Sequence, residues 1–157
     1  MKLSKNLTLK EATKSRTASR LGIDNTPEDW HIDNLRAIAE DIFQPMRDHF
    51  GVPIGIGSGY RCKELNTAIG GSKTSQHMNG EALDIDADMY GKVTNAEIFH
   101  YIKDNLDWDQ MIWEFGTDEN PDWVHVSYKR GGDNRRQLRK AFKDENGRTA
   151  YTIWQSK

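Results

Sequence analysis

The sequence predicts an α+β fold in which helices pack on one face of a small antiparallel sheet. Three observations carry this expectation. Leu35, Ile38, Ile42 and Met46 recur at helical spacing and share one helix face. Thr94 and Glu97 stand as the two ends of a capping box, where each side chain serves the other's backbone N–H at a helix start. Residues 81–87, 110–115 and 123–128 instead read as strands, with aliphatic and aromatic residues interleaved with polar ones.

Residues 1–25 read as an N-terminal arm with a short helix near Leu9 to Ser15. A longer helix follows, with Thr26 as N-cap, Pro27 at its first position and the acids Glu28 and Asp29 in its first turn. It runs to about Phe43. Pro45, which lacks a backbone N–H, should kink it or split off a last turn ending at Gly51. Ile54 and Ile56 alternate with glycines in a short strand that delivers Ser58-Gly59-Tyr60-Arg61 to its end. Lys63 to Ile69 is a short helix stopped by Gly70-Gly71.

Asn79-Gly80 is a turn signal, after which Glu81 to Ala87 runs as a strand. The Thr94 helix extends to Leu106, with Ile98, Ile102 and Asn105-Leu106 towards the core and His100 on the wet face. Gln110 to Phe115 and Trp123 to Tyr128 form a hairpin around a long acidic loop, Gly116 to Asp122. The basic segment 129–157 holds one more helix or strand, with Tyr151 to Trp154 the best strand candidate.

At 157 residues the chain is expected to be a single domain, 1–157, able to build a real core and to act as a monomer. No stretch is apolar enough to insert in a membrane. The first ten residues lack the apolar run of a secretory signal, so synthesis in the cytoplasm is expected, with later release to the target. A single cysteine, Cys62, excludes an internal disulfide and reads as a small residue at a helix start. The net charge of −2 hides an asymmetry: residues 1–20 carry six basic and one acidic side chain, residues 129–157 nine and three, and the middle seven and twenty. Basic ends on an acidic body suit an anionic polymer such as a cell wall, or are solvated faces. No nucleic-acid-binding motif accompanies the charge.

His77, Asp84 and His125 are the candidate metal ligands. Two imidazoles and one carboxylate match the ligand count of a catalytic zinc with an open position. On one helix His77 and Asp84 would stand about 10.5 Å apart along the axis, too far to share an ion. His77 is therefore placed on a loop and Asp84 on the strand beyond the Asn79-Gly80 turn. There Ala82, Asp84 and Asp86 share one face, and Leu83 and Ile85 point to the core. The pattern His-Glu-x-x-His is absent. Each of these residues taken singly could be an ordinary polar side chain; the set in this context argues otherwise.

The pattern Ser-x-His-x-x-Gly-x-Ala-x-Asp-Ile is met at Ser75, His77, Gly80, Ala82, Asp84 and Ile85. Ser-Gly-Tyr-Arg occurs upstream at Ser58 to Arg61, Trp-x-His downstream at Trp123 and His125, and Asp-Gln-x-Ile-x-Glu-Phe at Asp109 to Phe115. In these segments the chain resembles the zinc peptidases that cut peptidoglycan stem peptides. These are the D-Ala-D-Ala carboxypeptidase and L-Ala-D-Glu endopeptidase family (peptidase M15-like), and the nearest look is to its short phage-type members. The resemblance implies a hedgehog/DD-peptidase-like fold, a Zn2+ ion, a peptidoglycan peptide substrate and a role in wall lysis. A D-Ala-D-Ala carboxypeptidase, or a zinc-containing wall-binding module without turnover, are the alternatives it leaves open.

Such an enzyme needs a carboxylate to move a proton from water to the leaving amine. Glu114 and Asp122 are the candidates. Asp122 has the position of the catalytic acid in the carboxypeptidases that the chain resembles, but three residues before His125 a straight strand faces the other way. Glu114 lies between Trp113 and Phe115, a placement that is costly unless it faces a polar cavity, and burial there would raise its pKa. Glu114 is favoured. Arg61 keeps its charge and offers a fork of donors; the resemblance implies that it steadies the carbonyl oxygen. Ser75 is a candidate donor to substrate, or a loop cap. His31 and His49 have no partners in sequence and are read as structural.

Overall fold

The computed structural model describes residues 1–156. The chain opens with a two-stranded antiparallel hairpin, β1 (Lys2–Ser4) and β2 (Leu7–Thr8), then two short helices, α1 (Leu9–Thr13) and α2 (Arg16–Leu21). These residues are no loose arm. Leu3, Leu7 and Ala12 are buried in the same hydrophobic cluster as the rest of the core.

Helix α3 (Asp29–Ile38) begins later than expected from Thr26-Pro27. Thr26 turns back on Asp24, its N–H and hydroxyl both donating to that carboxylate, and so does not cap the helix. Glu28 takes the cap position, and its N–H donates to Nδ1 of His31 at 3.0 Å. His31 also packs against Trp30 and Tyr60, a structural role that accounts for its burial. Ahead of Pro45 the backbone widens into a π turn, Ala39–Phe43, before α4 (Gln44–Phe50) ends at Gly51 in the left-handed region. The wider turn accommodates a ring that would otherwise clash with the preceding turn's carbonyl.

The second sheet has six strands in the order β3-β4-β6-β5-β7-β8. They are β3 (Gly55–Ser58), β4 (Ala82–Asp86), β5 (Gln110–Glu114), β6 (Trp123–Ser127), β7 (Gln137–Lys143) and β8 (Thr149–Ile153). The expected small antiparallel sheet is thus too small and too uniform. β7 was not anticipated, and it pairs parallel to β5. Between the strands lie α5 (Lys63–Ala68), capped by the Cys62 sulfur, and α6 (Asn95–Asn105), opened by the Thr94–Glu97 capping box. Asn105 is exposed rather than turned inward, since α6 ends there and the chain straightens.

The two faces of this sheet differ sharply. Leu83 and Ile85 of β4, Val124 and Val126 of β6, and Met111 and Trp113 of β5 join Leu35, Ile38, Ile42, Ile98, Phe99 and Ile102 in one core. Each such aliphatic side chain contributes about 1.5–3 kcal/mol by leaving water. A register slip of one residue would expose them all, so the pattern pins β4 and β6 in place. The opposite face then necessarily carries Asp84, His125 and Glu114.

Much of the basic C-terminal segment is neutralised by the acidic body. Arg135 pairs with buried Asp109, Arg136 with Asp107 and Lys140 with Asp118. Asp109 also accepts from Gln76, which ties β7's approach to the loop that carries His77. No helix of the described residues is long and apolar enough to cross a membrane.

Candidate active site

Register brings the central residues together. Asp84 sits opposite His125 across β4 and β6, with Ser58 on the other side of Asp84 and Ile112 on the other side of His125. His77 arrives from a 3-10 turn, Gln76–Asn79, that ends at Gly80 with φ +74°. A side chain there would collide with the His31 carbonyl, so this close approach demands glycine. Ser75 caps the turn by accepting the His77 N–H at 3.2 Å.

Nε2 of His77 and Nδ1 of His125 lie 3.3 and 3.1 Å from Oδ1 of Asp84. All three donor atoms fall within 4.8 Å of one another. Two donors each bound to one ion at tetrahedral angles stand roughly 3.3 Å apart, so the spacing fits a shared metal. The carbonyl of Gly59 lies 2.6 Å from Nδ1 of His77. A carbonyl can only accept, so Nδ1 carries the proton and Nε2 is left as the donor atom facing Asp84. Gly59 itself has no room for a side chain, because a Cβ would meet the Ala12 carbonyl at 2.3 Å. The N-terminal helix α1 thereby supports the orientation of His77. Burial alone would raise the Asp84 carboxyl; the two imidazoles beside it outweigh that and hold it below the usual carboxylate range.

These residues line a cavity of about 560 Å3. Arg61 enters it from the end of β3, one guanidinium N–H donating to Ser75 Oγ at 3.4 Å. Its Nε is buried without a partner among the described residues. Burial lowers the Arg61 pKa, and the charges of Asp84 and Glu114 work against that.

Glu114 and Asp122 are separated by the fold. Glu114 is 8% exposed and lines the cavity; Asp122 is exposed and is not part of its wall. The Asp122 backbone is fixed instead: its N–H donates to the Glu114 carbonyl at 2.8 Å, and its own carbonyl accepts from buried Asn95 at 2.9 Å. Phe115 has φ +56°, which turns the chain so that both Glu114 and Phe115 face the cavity. Burial pushes the Glu114 carboxyl up to about 7, with His125 pulling down, Asp84 pushing up and Arg61 pulling down.

This shift has a consequence for stability. A carboxyl raised in the folded state keeps a proton that the unfolded chain has released, so its contribution is full below pH 4.5 and is lost as pH rises through about 7. In buffer free of divalent metal, the Glu114→Gln variant is expected to match the parent near pH 4 and to exceed it by about 3 kcal/mol near pH 8. Urea denaturation at the two pH values reads the difference, and a gap that does not change with pH would rule out burial as the cause.

The sequence profile of the peptidase M15 family matches residues 5–127. The chain belongs to this family. Its substrate is accordingly a peptide, and the matched region contains His77, Asp84, Glu114 and His125. No curated protein matches the chain.

Several cavity residues escaped the sequence reading. Ile112 forms its floor, and Arg139, Gln137, Thr149 and Tyr151 come from β7 and β8. Arg139, Lys140 and Lys143 disguise β7 as a solvated basic tail, with Ala141 its one buried apolar residue. Tyr151 was visible only as part of a strand candidate. Asn95, which binds the Ala87 N–H and the carbonyls of Pro121 and Asp122, carried no local signal beyond its place after a helix cap.

Proposed function

We propose that this M15 peptidase is a zinc-dependent enzyme that hydrolyses peptidoglycan stem peptides, cutting between L-Ala and D-Glu as the lysis enzyme of a phage or prophage. The observation that carries the reading is the convergence of three donor atoms, a buried carboxyl and an arginine in one open cavity. His77, Asp84 and His125 would hold the ion. When bound, zinc supplies Lewis acidity towards a carbonyl oxygen and an attacking water.

The rest falls to side chains. Glu114, a buried carboxyl that faces the cavity, takes a proton from the attacking water and passes it to the leaving amine nitrogen. The guanidinium of Arg61 faces the same cavity and can donate to the carbonyl oxygen as negative charge builds there. Gly59 holds the His77 ring, and Ser75 links Arg61 to the His77 loop, so the electrophilic and metal-binding groups are tied together. Water is activated on one side of the scissile carbon and the oxyanion is met on the other.

The decisive experiment treats purified peptidoglycan with the zinc-loaded protein and identifies the fragments by mass. Stem peptides with a new D-Glu amino terminus and intact glycan strands are expected. Release of terminal D-Ala alone would move the reading to a carboxypeptidase, and release of nothing would move it to a binding module.

A further inference from the structure

The cavity wall beyond Glu114 is built by β7 and β8, which lie past residue 127, where the match to the M15 profile ends. Arg139 stands in line with the donor cluster. Asp84 pairs with His125, His125 with Ile112, and Ile112 with Arg139, across four adjacent strands. Two strand spacings, about 10 Å, separate the His125 and Arg139 backbones. Ile112, 7% exposed, is the apolar floor between them.

Arg139 differs from Arg135 and Lys140. Arg135 is held by Asp109 and Lys140 by Asp118. Arg139 is half-buried, lines the cavity, and forms no salt bridge among the described residues. Tyr151 stands beside it, opposite Ala141, which is itself opposite Glu114. A partly desolvated guanidinium with a phenol at its side and no acid of its own is suited to a carboxylate, which its planar fork can grip through two parallel hydrogen bonds.

The direction of the substrate follows from Glu114. That carboxyl serves the leaving amine and sits on β5, and the next strand outward is β7. The residue that carries the leaving nitrogen therefore lies over Arg139, while Arg61 meets the carbonyl oxygen from the β3 side. Resting on the peptidase reading above, we propose that Arg139, flanked by Tyr151, is a specificity-determining subsite for a free carboxylate on the leaving residue of the substrate. In a stem peptide that group is the α-carboxylate of a γ-linked D-Glu, or the chain-terminal carboxylate of D-Ala.

The test uses zinc-loaded protein and paired peptides. One pair is L-Ala-γ-D-Glu-L-Lys and the same peptide with the D-Glu α-carboxylate amidated; the other ends in D-Ala-D-Ala or its carboxamide. The parent is expected to prefer one free acid over its amide by about 10- to 100-fold in kcat/KM. Arg139→Gln should erase that preference through KM with kcat retained, and Arg139→Lys should restore part of it. Which pair shows the effect identifies the source of the carboxylate. Arg139→Gln lowering acid and amide substrates equally, or changing only kcat, would overturn the proposal. A second arm needs no turnover: calorimetric binding of the product γ-D-Glu-L-Lys and D-Ala against their amides. An acid preference lost in Arg139→Gln sustains the subsite even if no peptide is cut. Equal affinity for acid and amide in the parent would remove it even if cleavage proceeds.

Discussion

The His125→Ala variant is expected to lose stoichiometric zinc and all measurable peptidase activity while keeping its fold. Nδ1 of His125 is one of three donors facing a common point, and with it gone only His77 and Asp84 remain. Loss of an outer partner of a metal ligand commonly costs 10–100-fold in affinity, so loss of the ligand itself should cost more than about 100-fold. His77→Ala and Asp84→Ala should behave alike. His49→Ala and His100→Ala, whose rings stack on Tyr101 and lie near Phe99 and Trp113, should keep their zinc. His31→Ala should keep it too but melt earlier, because His31 caps α3 and packs on Tyr60. Elemental analysis of dialysed proteins distinguishes these cases. Equal zinc in the parent and the His125→Ala variant would place the metal elsewhere.

Glu114→Gln should retain zinc and fold yet lose roughly 10²–10⁴-fold in kcat, the usual worth of general acid–base catalysis. The amide fills the same space and can neither accept nor return a proton. Asp122→Asn should cost far less, because the Asp122 side chain is exposed outside the cavity and the residue's structural work is done by its backbone. Single-turnover rates with a stem peptide give both values. The reverse order would mean that the acid bound by family spacing acts after a rearrangement of the Gly116–Asp122 loop.

How much of this the sequence shows depends on how local each signal is. Leu83 and Ile85 alternate with Asp84 within five residues, so the strand and the face of Asp84 are readable directly. The Asn79-Gly80 turn likewise announces that His77 is not on that strand. Glu114 is legible for the opposite reason: an acid between Trp113 and Phe115 conflicts with its surroundings unless a cavity is present.

The failures are equally specific. β1 and β2 are three and two residues long, too short for any period to register. Thr26 has the chemistry of a helix cap, but Asp24 competes for it locally. The parallel pairing of β7 with β5 joins Ile112 to Arg139, and no pattern within either strand reports it. The cavity wall opposite Arg61 was therefore hidden, although every residue in it was in plain view.

Diffraction from a zinc-soaked crystal, recorded across the zinc absorption edge, locates the ion without reference to activity. One anomalous peak within bonding distance of His77 Nε2, Asp84 Oδ1 and His125 Nδ1, and facing Glu114 across the cavity, is the expected result. A peak confined to any other set of residues, or none beside His77, would contradict the assignment of this site as the catalytic centre.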